Sequence, residues 1–138
     1  MKILFKPQTE WIPPTDFPDL RKYDEIAIDL ETKDPNLNER MGSGSVVGVG
    51  DVVGISLATH DWCAYYPIAH EGGGNMDRKM VLDWFQDQMR SDSTKIFHNA
   101  MYDVCWLRSL GIQINGQIVD TMIAASLIDE NRYRYDLN

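Results

Sequence analysis

Three acids carry the clearest chemical potential in this chain: Asp29 and Glu31, separated by one residue, and Asp103, four positions after Asn99. Side chains alternate along a strand, so in Glu25-Ile-Ala-Ile-Asp-Leu-Glu31 the residues Ile26, Ile28 and Leu30 face one way and Ala27, Asp29 and Glu31 the other. The two acids are then about 6 to 7 Å apart at Cα and directed at a single point. Such a pair also fits a solvated strand end, because exposed acids are common. Asp103 makes the difference. Helical spacing puts Asn99, Asp103 and Leu107 on one face with Leu110 nearby. An acid among large apolar groups needs a cation, a hydrogen-bond donor or water, because burying it unpaired costs several kcal/mol. Backbone amides in the first turn of a helix could also satisfy it.

At 138 residues, 43% apolar and 25% charged, the sequence predicts a single globular domain with a real core. No stretch of eighteen apolar residues occurs, and the N-terminus has no apolar signal core before Glu10, so a soluble, intracellular (cytoplasmic) protein with no membrane partner is expected. Cys63 and Cys105 lack zinc or disulfide spacing and are expected to be reduced and buried. The net charge of −8 argues against a duplex binder with a broad basic patch. It does permit a nuclease in which divalent ions bridge carboxylates to a phosphate.

The elements that must position these acids follow in chain order. Residues 1–23 form an extended lead-in, since Pro13, Pro14 and Pro18 forbid a helix or central strand. Residues 34–50, rich in Gly, Asn and Ser, read as a mobile β connection beside the acidic strand end. Asp34-Pro-Asn-Leu-Asn38 begins like a calcium loop, but Glu39 and Ser45 occupy the positions that require Gly and Glu, and the glycines at 42, 44 and 48 do not match a nucleotide loop. Val52–Thr59 and Trp62–Ile68 predict a hairpin turning at His60-Asp61, with Gly54, Ser56 and Ala58 as small residues on one face. A helix from Met76 to Arg90, capped by Asn75, should bury Met76, Met80, Val81, Trp84, Phe85 and Met89. Lys95–His98 is a short strand, and a helix follows from Asn99 to Leu110 with Gly111 at C′. Gln117–Asp120 ends a last strand, and Asp120 caps Thr121–Ile128, which is apolar almost all round and therefore expected to be a buried helix. A polar tail, Asp129–Asn138, carries Tyr133 and Tyr135.

With Asp29-Leu-Glu31 and Asn99-Ala-Met-Tyr102-Asp103 both in view, residues 24–138 resemble the 3′-to-5′ proofreading exonuclease domain of family A DNA polymerases, the bacterial polymerase I and phage type. Val53–Ala58, Tyr66-Pro-Ile-Ala-His70 and Asp120-Thr-Met122 match its connecting segments in the same order. The resemblance implies an α/β, ribonuclease H-like fold of the DEDD exonuclease class, with a mixed central sheet flanked by helices. It also implies two divalent ions, Mg²⁺ or Mn²⁺, held by four acids, of which Asp29, Glu31 and Asp103 are the first three. One metal-activated water would attack the terminal phosphodiester while the second ion stabilises the leaving 3′ oxygen. Thr32, His98, Asn99 and Tyr102 match residues lining the cleft for a single-stranded 3′ end, where the rings of His98 and Tyr102 offer sequence-tolerant packing. Ordinary core packing is an equal reading for Tyr102.

The family's last motif, Tyr-x-x-x-Asp on a later helix, has no counterpart after Asp103, since Tyr133 precedes Asp136 by three residues. A single exonuclease domain incomplete at its C-terminus is therefore expected, the rest of a polymerase being its natural partner along with a single-stranded DNA 3′ end. Two other readings use the same residues: an RNA-trimming exonuclease of the ribonuclease D type, and a catalytically silent domain that binds a nucleic-acid end.

Overall fold

In the computed structural model, residues 11–39 and 42–137 are described. The acidic stretch forms β1, Glu25–Lys33, at the centre of a five-stranded sheet. β2 (Asp51–Ala58) runs antiparallel to β1, and β3 (Cys63–Pro67) antiparallel to β2. On the other side β4 (Thr94–Phe97) is parallel to β1 and β5 (Ile118–Asp120) parallel to β4, giving the order β3-β2-β1-β4-β5. The described residues also form the α-helices α1 (Gly44–Val47), α2 (Arg78–Met89), α3 (Ala100–Ser109) and α4 (Thr121–Ile128). This is the mixed sheet with helices that the sequence leads one to expect.

The register sorts the sheet into two faces. Ile28 pairs with Leu57 and Leu30 with Ile55, which in turn pairs with Tyr66, so these residues share one face. They are buried together with Val81, Phe85 and Met89 of α2 and Trp106 and Leu107 of α3. Each such side chain contributes about 1.5 to 3 kcal/mol through burial. The opposite face carries Ala27, Asp29 and Glu31 beside Ala58, Ser56 and Gly54. It borders a cavity of ≈ 640 Å³.

The lead-in has no regular structure over residues 11–20, as its prolines dictate, yet it is packed rather than loose. Leu20 is fully buried, and its amide donates to the buried Gln88 side chain at 2.8 Å. Phe17 stacks on Tyr66, Tyr66 donates its hydroxyl to the Asp16 carbonyl, and the Trp84 indole donates to the Pro18 carbonyl. Residues 1–10 of that segment lie outside the described residues.

Several expectations are corrected. α2 starts at Arg78 and its cap is Asp77, whose carboxylate accepts from the Met80 amide at 2.8 Å. Asn75 instead closes the preceding loop by bonding both backbone groups of His70. Met80 points outward, because the burial stripe 81, 85, 88, 89 leaves it off the core face. The loop after β1 is partly helical, with a 3-10 turn at Leu37–Glu39 and α1 capped by Ser43. Cys63 is exposed and Cys105 half-buried, each on an element face turned away from the core. α4 has no buried residue; Ile123, Leu127 and Ile128 are exposed, because no described segment packs over them.

Candidate active site

Asp29 and Glu31 reach the open face because the core claims the alternate residues of β1. Asp29 is opposite Ser56 and Glu31 opposite Gly54, and the register slips between Glu31 and Thr32, a β-bulge at the acidic end of the strand. Bulges re-aim the side chains beside them. Asp103 comes from the first turn of α3 and is 4% exposed. Burial, then Asp29, Asp120 and Glu31, push its carboxyl up to about 7. No hydrogen bond opposes that push. The three predicted acids are thus neighbours in the electrostatic sense. Among the described residues, however, no three His, Cys, Asp or Glu side chains already stand in metal-holding geometry. Like charges without a cation keep apart.

α3 enters the site through an uncommon conformation. Asn99 has φ 66° and ψ 57°, the left-handed region that Asn tolerates better than most residues. Its side chain makes no capping hydrogen bond to the helix. Asp120 performs that function from another strand, accepting from the Asn99 and Ala100 amides at 3.1 and 2.8 Å. The same carboxylate caps α4 through the Met122 and Ile123 amides. Burial alone would raise its pKa, but these four backbone donors prevail and lower it. The side chain of Asn99 is left exposed beside Asp103 in the chain.

The remaining predicted residues divide into two groups. Tyr102 and Thr32 hydrogen-bond each other at 2.8 Å, and Tyr102 donates to Asp34 at 3.0 Å. Asp34 accepts from the Gly44 amide with both oxygens, fastening α1 to the end of β1. Tyr102 therefore ties loop to helix, and its ring meets Trp106 edge-on. His98 lines the cavity with Asp29. Its Nδ1 is 2.9 Å from Thr121 Oγ1, which donates to the Phe97 carbonyl, and its buried Nε2 has no hydrogen-bond partner among the described residues. Asp34 and Asp120 were not singled out as site residues from sequence. For Asp120 the signal was its place before an apolar run, which reveals one of its two caps.

The donor set fits a hard divalent cation: three carboxylates, one of them buried and short of a compensating positive charge. The chain is 32% identical to a DNA-directed DNA polymerase of Pseudomonas phage M6 over 136 residues, which is 94% of this chain and 20% of that protein. It is 32% identical over 89 residues to DNA polymerase I of Chloroflexus aurantiacus, 63% of this chain and 9% of that one. The profile of the 3′-5′ exonuclease family matches residues 17–138. In fold it is similar to Brucella melitensis NrnC with bound Mg²⁺, at TM-score 0.56 and 19% identity, covering 91% of this chain and 55% of that one. The chain spans a fifth or less of these polymerase relatives.

Proposed function

Because the chain belongs to the 3′-5′ exonuclease family of family A DNA polymerases, we propose that it removes nucleotides from the 3′ end of single-stranded DNA in a metal-dependent, proofreading-type reaction. The observation that carries the reading is the buried Asp103 carboxyl, raised to about 7 beside Asp29 and Glu31. A fold keeps so costly a charge cluster where an ion is to be held.

Asp29, Glu31 and Asp103 are the residues that would hold divalent ions, Mg²⁺ or Mn²⁺. Two such ions supply polarisation of the phosphoryl oxygens and a nucleophilic water at neutral pH. The protein's own residues do the rest. Asp120 and the left-handed Asn99 fix the start of α3, and so the height of Asp103 relative to β1. Asn99 and His98 line the approach of the strand end. The Thr32–Tyr102–Asp34 network stiffens the loop after Glu31, keeping the acids close to their working positions; misplacement by about 1 Å can cost on the order of a hundredfold in rate. A larger polymerase is the natural setting, as it is in the relatives.

The test uses a 5′-labelled single-stranded oligonucleotide. A ladder of products shortened from the 3′ end should form with Mg²⁺ or Mn²⁺ and vanish with a chelator or in Asp29→Ala. The rate with these residues alone should be low, and a longer chain carrying the next Tyr-x-x-x-Asp should raise it. Digestion that survives both chelation and Asp29→Ala would overturn the assignment. Parallel RNA and DNA oligonucleotides of one sequence decide the sugar preference.

A further inference from the structure

Tyr65 is not accounted for by the acids or by the core. Its ring lies across Gly54: a Cβ built at Gly54 would stand 1.9 Å from the Tyr65 hydroxyl oxygen and 2.3 Å from Cζ. Gly54 is directly opposite Glu31. Directly opposed residues of an antiparallel pair have Cβ atoms about 4.5 to 5.5 Å apart on one face. The Tyr65 hydroxyl therefore occupies the place of the missing side chain, within about 7 Å of the Glu31 Cβ by that spacing. The hydroxyl is held there by His70, whose Nε2 is its hydrogen-bond partner. His70 is in turn fixed, its backbone N–H donating to Asn75 Oδ1 at 2.7 Å and its carbonyl accepting from Asn75 Nδ2 at 2.8 Å. Lys33 ties the same loop to the end of β1 through Glu71. Tyr65 also lines the cavity that Asp29 and His98 line.

A phosphate approaching three carboxylates in a chain of net charge −8 meets few positive groups, and the nearby Lys33 is engaged with Glu71. A neutral hydroxyl donor at that point offers such a phosphate a contact that adds no negative charge. We infer that Tyr65, set beside Glu31 by the absence of a side chain at Gly54 and oriented by His70, donates its hydroxyl to a non-bridging oxygen of the 3′-terminal phosphodiester. His70 then donates its Nε2 proton to the Tyr65 oxygen, turning the phenolic hydrogen toward the ligand. Glu31 and burial both keep that phenol protonated, burial being the larger influence. This role rests on the nuclease reading, and the test separates the two.

Binding is measured without turnover, by fluorescence anisotropy of a labelled single-stranded DNA pentamer with Ca²⁺. A second pentamer carries a neutral methylphosphonate at the 3′-terminal linkage. Tyr65→Phe should bind the phosphodiester about tenfold more weakly than the native chain, the loss of one hydrogen bond to a charged acceptor, and show a smaller loss on the methylphosphonate, whose remaining phosphoryl oxygen is uncharged. Gly54→Ala, which pushes the ring aside, should reproduce the loss and add little to Tyr65→Phe. His70→Ala should weaken binding and His70→Gln, which keeps a donor, should restore it. Native binding that needs Asp29 but is unchanged in Tyr65→Phe removes Tyr65 and leaves the nuclease reading standing. An equal loss on both pentamers shows that Tyr65 does not pair with a charged oxygen of that linkage and overturns the inference. If the native chain shows no Ca²⁺-dependent binding, or Asp29→Ala binds as well as native, both proposals fall.

Discussion

Replacing Asp103 with Asn should make the metal-free protein more stable above neutral pH. The native carboxyl moves from its ordinary value of 3.8 to about 7 on folding. A folded-state pKa above the unfolded one means that the native state binds more protons, so stability falls as pH rises through that window. The loss begins near pH 4, is complete somewhat above pH 7, and amounts to about 4 kcal/mol. Asn keeps the shape and removes the charge. Urea midpoints across pH 4 to 8.5 should therefore show the variant equal to native near pH 4 and up to about 4 kcal/mol more stable at pH 8. Other carboxylates with lowered pKa values, such as Asp120, gain stability with pH, but they do so equally in both proteins and cancel in the difference. Mg²⁺ should narrow the gap, stabilising the native chain by about 2.7 kcal/mol at a hundred times its dissociation constant and leaving the variant nearly unchanged. A variant no more stable than native at pH 8 would refute the claim that Asp103 is an uncompensated buried charge.

Asp120→Ala should cost about 2 to 3 kcal/mol, because four backbone donors at two helix starts lose their acceptor at once; thermal melts that barely move would contradict the double cap. Phe85→Ala should cost about 3 to 5 kcal/mol by opening a cavity under the sheet, read as a lowered urea midpoint with the slope unchanged. Asn99→Gly should be close to neutral in stability while Asn99→Val costs about 1 to 2 kcal/mol, since a β-branched residue resists φ 66°. Leu127→Ser should change stability by no more than about 0.5 kcal/mol, as the side chain is 83% exposed; a larger loss would show that α4 is covered in solution.

Local pattern reveals what local physics decides. The alternation in Glu25–Glu31 announced both a strand and the face on which its acids stand, because burial of Ile26, Ile28 and Leu30 leaves Asp29 and Glu31 no other side. The hairpin, the stripe of Val81, Phe85 and Met89, and Gly111 after α3, with φ 77°, were legible for the same reason. Long-range hydrogen bonds were not. Asp120 lies some twenty residues from the amides it caps at the start of α3, so its place before Thr121 announced only the nearer of its two caps. Asp34 was tested as a calcium ligand and rejected, and its bonds to Tyr102 and Gly44 depend on a turn that no spacing rule specifies.

The most informative disagreement is at α4. Thr121–Ile128 is apolar enough to be read as buried, and its physics is unchanged by the fact that Ile123, Leu127 and Ile128 face outward here. An amphipathic helix settles on a domain by showing its polar side to water, and this one has too little polar surface to do so. The open sheet face raises the same question, since Ala27, Ser56 and Ala58 are small and border, with Trp11 and Leu137, the cavity that reaches Asp29. Both surfaces belong to the region where the candidate site lies. The acids on β1 and α3 are fixed from the core side by dense packing and from the helix start by Asp120, whereas their outer side is bounded by loops and the tail. Asp103 and Asp120 therefore link the site to the stability of the fold, whereas changes at exposed residues of the open face, away from those two, should alter ligand binding while leaving the urea midpoint nearly where it was.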